Sequence, residues 1–198
     1  RFAAYKRADL ITHDLQRCEF LFYNTKRPIQ IVWSGKPYPL DYGAMSMFNR
    51  LIHLTKKYKN ATVVIGYELR LSALMKKGSD VWLNNPRIPL EASGTSGMTA
   101  AMNGSVNFST NDGWILEFAK HGKNSFVIPE VDLSLPQDQQ DRHDLNHMYD
   151  ILENEIIPMY YDKPDQWLEV TWRATDDVNK YFTAKRMADE YYKKLYKF

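Results

Sequence analysis

Apolar positions along the chain alternate between helical spacing and short unbroken runs, and the two kinds of segment follow each other in a regular order. From Asp9 to Asn24, Leu10, Ile11, Leu15, Cys18 and Phe22 fall at helical spacing. After Pro28, the run Ile29-Gln30-Ile31-Val32-Trp33 reads as a short strand closed by Ser34-Gly35. The unit then repeats. Asp41 to Lys59 keeps helical spacing through Met45, Phe48, Ile52 and Leu54, and Ala61-Thr62-Val63-Val64-Ile65 is an almost wholly apolar strand ended by Gly66. Leu69 to Lys77 predicts a third helix, Asp80 to Leu83 a third strand, Ser93 to Asn103 a fourth helix and Ser105 to Phe108 a fourth strand. Buried strands alternating with helices predict an α/β fold with a Rossmann-like, doubly wound parallel sheet, in which ligands bind beyond the carboxyl ends of the strands. Function is therefore expected in the loops after Trp33, Ile65 and Leu83. Because the pattern opens on a helix and Arg1 is not an initiator methionine, the domain is expected to begin upstream, which would leave a sheet edge uncovered here.

Beyond the strands the pattern changes. Leu133 to His143 is polar, and three helical stretches follow at Leu145 to Ile157, Pro164 to Tyr181 and Thr183 to Tyr196. The last has Thr183 as a natural N-cap and sets Met187, Tyr191 and Leu195 on one face. These helices are expected to pack across the sheet or against a partner domain. The chain thus divides into a Rossmann-like core, residues 1–130, and a C-terminal helical part of the same domain, residues 131–198.

Composition narrows the function classes. The 26 basic and 24 acidic residues nearly cancel, so no one-signed field points to nucleic acid or an anionic membrane surface. No apolar run approaches the ~20 residues that cross a bilayer. The single cysteine, Cys18, has no intrachain partner, which fits a reducing, cytoplasmic setting.

The densest chemical signal is the stretch Asn84 to Thr99, where a strand end runs through a rigid turn into a glycine-spaced helix start, Glu91-Ala92-Ser93-Gly94-Thr95-Ser96-Gly97-Met98-Thr99. Glycines admit a ligand close to the backbone, and the N–H groups of a first helical turn attract a phosphate or sugar oxygen; the same residues also serve as a plain loop and cap. Glu91 either accepts hydrogen bonds from sugar hydroxyls or complements the helix dipole. Arg1, Lys6 and Arg7 cluster where a phosphate-binding cationic pair would stand, or form a solvated basic face. Tyr67 and Asp112-Gly113-Trp114 follow strands and reach the ligand-facing edge. His143 and His147 lie four apart with no third ligand spaced nearby, so no metal is expected. Phosphate-loop, nucleophile-elbow and dinucleotide glycine motifs are absent from the sequence.

Arg1-Phe2-Ala3-Ala4-Tyr5-Lys6-Arg7-Ala8, Gln30 to Lys36, Asp80 to Arg87, Glu91 to Met98, Asn103-Gly104, Asp112-Gly113-Trp114 and Phe182 to Met187, in that order, resemble the bacterial and archaeal branch of the α-glucan (glycogen) phosphorylases. The resemblance covers essentially the whole chain. It implies the second half of a two-Rossmann-domain (GT-B type) glycosyltransferase acting on α-1,4-glucan, with the active site in a cleft whose other wall is the N-terminal domain. It implies catalytic roles for Arg1 and Lys6 in holding the substrate phosphate, and substrate contacts through Glu91, Ser93 and Gly94, with Tyr67 near the cofactor. It also implies cofactor-phosphate contacts through Thr95 and Ser96. The family's pyridoxal phosphate is anchored on a lysine where this chain has Thr99, and a hydroxyl cannot form an imine. Nucleotide-sugar transferases of related type often place a second glutamate eight residues after the first, and Thr99 stands at that spacing from Glu91 as well. Three readings follow: a phosphorylase-like transferase working with α-glucan, glucose phosphate or phosphate; a nucleotide-sugar-dependent, glycogen-synthase-like transferase; and a degenerate glucan-binding or regulatory module. Under each of them the chain alone is expected to be inactive.

Overall fold

The structure, a computed structural model, describes residues 2–66 and 68–196. It is an α/β fold with two small parallel sheets and a C-terminal set of helices. Two short 3-10 turns, Ala4–Lys6 and Leu10–Thr12, lead into α1 (Leu15–Phe22). The expected helix from Asp9 to Asn24 is thus split. Asp14 takes the N-cap position and its carboxylate accepts from the Arg17 N–H at 3.0 Å, which starts the α-helix afresh.

β1 (Ile31–Gly35), α2 (Tyr42–Thr55) and β2 (Ala61–Ile65) form the first sheet, paired in parallel from Ile31 opposite Ala61 to Gly35 opposite Ile65. β1 begins two residues later than its apolar run because the Ile29 carbonyl is taken by the Asn60 side-chain amide at 2.9 Å. After α3 (Leu69–Gly78) come β3 (Val81–Asn84), α4 (Thr95–Ala101), β4 (Val106–Thr110), α5 (Ile115–Phe118) and β5 (Ser125–Ile128). These strands make the second sheet, order β3-β4-β5, also parallel. The single doubly wound sheet expected from the pattern is therefore two sheets. Among the described residues no backbone pairing joins β1 to β3.

The polar stretch after Leu133 does not remain a loop. α6 begins at Gln137, directly after Pro136, and runs to Ile151. A π-helical turn, Leu152–Ile156, passes into α7 (Ile157–Asp162), and α8 (Pro164–Tyr181) and α9 (Ala184–Lys194) follow. Gln140 and Asp144 of α6 are buried, which hides this helix from a reading of apolar spacing.

One core serves both sheets. Leu10, Phe108, Phe126, Met148 and Tyr149 are fully buried in it, and Ile31 and Trp33 of β1 pack on the same cluster as Val81 and Leu83 of β3. Each such large side chain contributes roughly 1.5–3 kcal/mol relative to exposure. A second cluster joins Trp114, Ile115 and Phe118 to Ala174 and Val178 of α8, and a third sets Phe2 among Ala44, Met47, Phe48 and Leu51 of α2. α9 buries none of its side chains. Among the described residues no helix is long and apolar enough to cross a membrane.

Candidate functional site

The N-terminal segment lies across the carboxyl ends of β1 and β3. The Phe2 N–H donates to the Lys36 carbonyl at 3.1 Å just beyond β1, and the Arg87 N–H donates to the Tyr5 carbonyl at 2.7 Å beyond β3. Arg7 has the one positive φ outside glycine among the described residues, +46°. Its guanidinium donates to the carbonyls of Asn85 (3.1 Å) and Pro86 (3.0 Å) and to the carboxylates of Asp141 and Asp144 (2.7 Å each). Asn85 returns a bond to the Arg7 carbonyl at 2.9 Å, and Arg87 reaches Asp141 at 2.9 Å. Arg7, expected to join a phosphate-binding cluster, is instead a buried brace between the β3 loop and α6.

Lys6 has the opposite fate. Its ammonium lies 2.5 Å from the Glu91 carboxylate, with the lysine side chain 25% and the glutamate 10% exposed. Two residues far apart in the chain, each singled out for ligand binding, thus meet at the mouth of the β3 loop.

The backbone around Glu91 is clamped by the turn after β4. The Glu91 N–H donates to Asp112 Oδ2 at 2.8 Å, the Gly113 N–H to Asp112 Oδ1 at 3.0 Å, and the Trp114 N–H to the Ser93 carbonyl at 2.7 Å. Gly113 has φ +64°, and a Cβ there would stand 2.5 Å from the Ser93 carbonyl oxygen, so only glycine lets the two loops touch. Gly97 is demanded by close approach: its Cβ would meet Asn107 Oδ1 at 2.5 Å and Trp114 Nε1 at 2.8 Å. Asn107 in turn donates to the Gly97 carbonyl at 3.0 Å, fixing α4 on β4.

On this clamped wall Ser93, Gly94, Thr95 and Ser96 follow Glu91 directly into the first turn of α4. Thr99 stands one turn further on. Its hydroxyl donates back to the carbonyls of Thr95 (3.2 Å) and Ser96 (3.1 Å), and its own carbonyl accepts from the Asn103 amide at 2.7 Å. Two expected site residues, Arg1 and Tyr67, lie outside the described residues. His143 and His147 sit on α6 with ring centroids 4.2 Å apart, and His143 approaches Asp144, the carboxylate that Arg7 holds.

Beside the N-terminal turn, Asp9 is buried and ion-paired to Arg50 at 2.7 Å, with His13 at 3.5 Å. Burial pushes the Asp9 carboxyl up, but the hydrogen bonds from His13 and Arg50 outweigh it and hold the group below its ordinary value. The hydrogen bond to Asp9 raises His13 against its partial burial.

Sequence reasoning placed Asp112 at the ligand edge but did not see its role as a clamp. It also missed the Asp141–Asp144 pair of α6. Their three-residue spacing on one helix face was the signal available, hidden in a polar run.

No family model matches the chain. Individual relatives do, along essentially all of this chain. The chain is 39% identical over 199 residues to the maltodextrin phosphorylase of Thermococcus litoralis, spanning 99% of this chain and 24% of that protein. It is 36% identical over 204 residues to the glycogen phosphorylase of Aquifex aeolicus, spanning 99% and 29%. It is also 43% identical over 198 residues to the uncharacterized protein MJ1631 of Methanocaldococcus jannaschii, spanning all of this chain and 36% of that one. The chain thus spans about a quarter to a third of the length of these relatives. Among solved structures, Anabaena Alr3699/HepE in complex with UDP and glucose superposes with a TM-score of 0.70 at 11% identity, over 99% of this chain and 46% of that one. That likeness is one of fold.

Proposed function

We propose that this chain is the C-terminal, Rossmann-type part of an α-glucan phosphorylase-like glycosyltransferase, the second half of a two-domain GT-B enzyme that acts on α-1,4-glucan. The observation that carries the reading is the contact of Lys6 with Glu91 on a loop clamped by Asp112. It joins a cation suited to phosphate and a carboxylate suited to sugar hydroxyls at the carboxyl end of the strands. The match of 99% of this chain to 24% and 29% of two phosphorylases supports it. In this reading Lys6, with Arg1, holds the phosphate of a sugar phosphate or of inorganic phosphate. Glu91, Ser93 and the Gly94 backbone orient the glucosyl unit, with Tyr67 beside them, and the N-terminal domain supplies the facing wall of the cleft. Positioning and charge stabilisation are what these residues contribute.

The residues present do not fit a covalently held pyridoxal phosphate. Thr99 has no amine, and its hydroxyl is already donated to the carbonyls of Thr95 and Ser96. This departure favours a second reading, a glucan-binding module that has lost its chemistry.

One experiment separates the readings. The longer polypeptide that contains this chain is incubated with pyridoxal phosphate, reduced with borohydride and weighed intact, beside a Thr99→Lys variant. Glucose 1-phosphate formation from maltodextrin and phosphate, and glucosyl transfer from a nucleotide sugar, are assayed in parallel. An adduct in the variant alone, with no turnover by the natural protein and retained maltodextrin affinity, assigns the binding module. Nucleotide-sugar turnover without an adduct assigns the synthase-like transferase. Phosphorolysis by the natural protein assigns the phosphorylase, and loss of affinity for both glucan and phosphate overturns the proposal.

A further inference from the structure

The glycine-spaced turn that presents Thr95 and Ser96 rests on one side chain. Trp114 is 3% exposed, and its backbone N–H donates to the Ser93 carbonyl at 2.7 Å. A Cβ on Gly94 would meet its Cδ1 at 3.1 Å, and one on Gly97 would meet its Nε1 at 2.8 Å. The five-membered edge of the indole thus lies against both glycines, and the backbone of the same residue pins Ser93 before them. Thr95 and Ser96 stand between these contacts, so the placement of their hydroxyls follows that of the indole. A close-packed contact passes on a shift of its partner, because no void takes it up.

The indole is fixed in turn from behind. Its ring packs on Phe118 at 4.4 Å between centroids, and Phe182 sets an edge against both, 5.3 Å from Trp114 and 5.8 Å from Phe118. Phe118 is as deeply buried as Trp114, whereas Phe182 is partly buried and lines a surface groove with Glu117, Lys120 and Asp177. Phe182 also closes α8, its N–H donating to the Val178 carbonyl at 2.9 Å, and Thr183 follows as the N-cap of α9. Tyr181 before it is exposed, and α9 after it buries no side chain. At this corner Phe182 is the residue that packs inward.

We propose that Trp114 is a positioning residue for the sugar and phosphate groups at the proposed site and that Phe182 sets its place, so that the α8–α9 corner governs how tightly the wall binds. This rests on the reading of Ser93 to Ser96 as ligand contacts. Both rings act through the backbone of Ser93, Gly94 and Gly97.

Phe182→Leu in the longer polypeptide tests it, since leucine keeps an apolar side chain at the corner and removes the ring edge. Hydrogen exchange by mass spectrometry, and isothermal titration with maltose and with inorganic phosphate, are compared with the natural protein. Segments 91–97 and 112–118 are expected to exchange about 2–10-fold faster while β2 is unchanged, and both affinities are expected to fall by a similar factor. Phe182→Tyr keeps the ring and is expected to restore exchange and affinity together. A side chain that only stabilises the fold would lower the urea midpoint and leave both affinities and the exchange of 91–97 unchanged in the folded protein. That result overturns the inference, as does failure of Phe182→Tyr to restore them. If Phe182→Leu does not fold, Phe182→Met, which fills the space without a ring, gives the same comparison. Absence of maltose and phosphate binding by the natural protein removes the proposed function instead, and the exchange of 91–97 then decides alone whether the corner sets the wall.

Discussion

The contact between Lys6 and Glu91 makes the proposed site a coupled one. An anion that takes Lys6 and a sugar hydroxyl that takes Glu91 must each open the same ion pair, at 2.5 Å and with the carboxylate 10% exposed. Fully exposed pairs are worth about 0–1 kcal/mol, and hydrogen bonds to charged groups about 1.5–3 kcal/mol. Opening this half-buried pair therefore costs about 1–3 kcal/mol. When both ligands bind, that cost is met once instead of twice. Phosphate should accordingly tighten sugar binding, and sugar should tighten phosphate binding, by one common factor in the range of about 5–150-fold. Isothermal titration of the longer polypeptide with maltose and inorganic phosphate, each alone and in the presence of the other, measures that factor in both directions. Glu91→Gln removes the latch, so phosphate affinity should rise and the dependence of sugar binding on phosphate should vanish. Loss of the carboxylate's repulsion would also raise phosphate affinity, so the coupling factor rather than the single affinity is decisive. Strictly additive binding in the natural protein, with both ligands bound, would refute the reasoning.

Other perturbations probe the frame around the site. Arg7→Met strands Asp144, whose side chain is 3% exposed, without its cation, and should cost about 3–5 kcal/mol in urea unfolding; a loss below about 1 kcal/mol would show that Arg7 is not a brace. Gly113→Ala places a Cβ 2.5 Å from the Ser93 carbonyl at a φ of +64°, and should lower stability by about 1–3 kcal/mol and weaken maltose binding with it. His13 has its folded pKa raised by Asp9, so its contribution is full below its ordinary value of 6.5 and is lost as pH rises through the raised value. Urea midpoints should fall across that window by the equivalent of less than about 1 kcal/mol, because the ring is half exposed, and His13→Gln should flatten the slope.

Much of the fold was legible because strand and helix periods differ. β2 begins and ends where its apolar run does, and Pro164 to Tyr181 is one helix, as its spacing predicts. Failures arose where local side-chain bonds or burial of polar groups overrode the period. Asp14 restarted a helix, Asn60 delayed β1, and the buried Gln140 and Asp144 disguised α6. β5, four residues long and preceded by a single turn of helix at Ile115–Phe118, offered too few positions for a period to show. Within the candidate site the glycine-spaced loop could be read directly. The partition of Lys6 and Arg7 could not, since the direction each adjacent side chain takes depends on the left-handed turn at Arg7 and on carboxylates contributed by α6 and the β3 loop.

Residues of the Glu91 to Thr99 segment divide by what folding requires of them. Gly97 and the facing Asp112 and Gly113 are demanded by packing, because larger or less polar substitutes would collide with Asn107, Trp114 or Ser93, or free the Glu91 N–H. Thr99 ties no other element to the wall: it is half-buried, and its hydroxyl bonds only to carbonyls of its own helix, so a substitution there breaks no hydrogen bond between elements. The hydroxyls of Ser93, Thr95 and Ser96 form a third class. Among the described residues they donate to no protein acceptor, although each sits on a wall held rigid by the clamp. Thus the packing residues explain why the wall exists, and these hydroxyls with the Lys6–Glu91 pair are what the wall presents. Replacing the three hydroxyls together by alanine should leave unfolding free energy within about 0.5 kcal/mol, as for surface changes, while lowering affinity for phosphate or maltose. A loss of stability instead would return these hydroxyls to the packing class and remove them from the site.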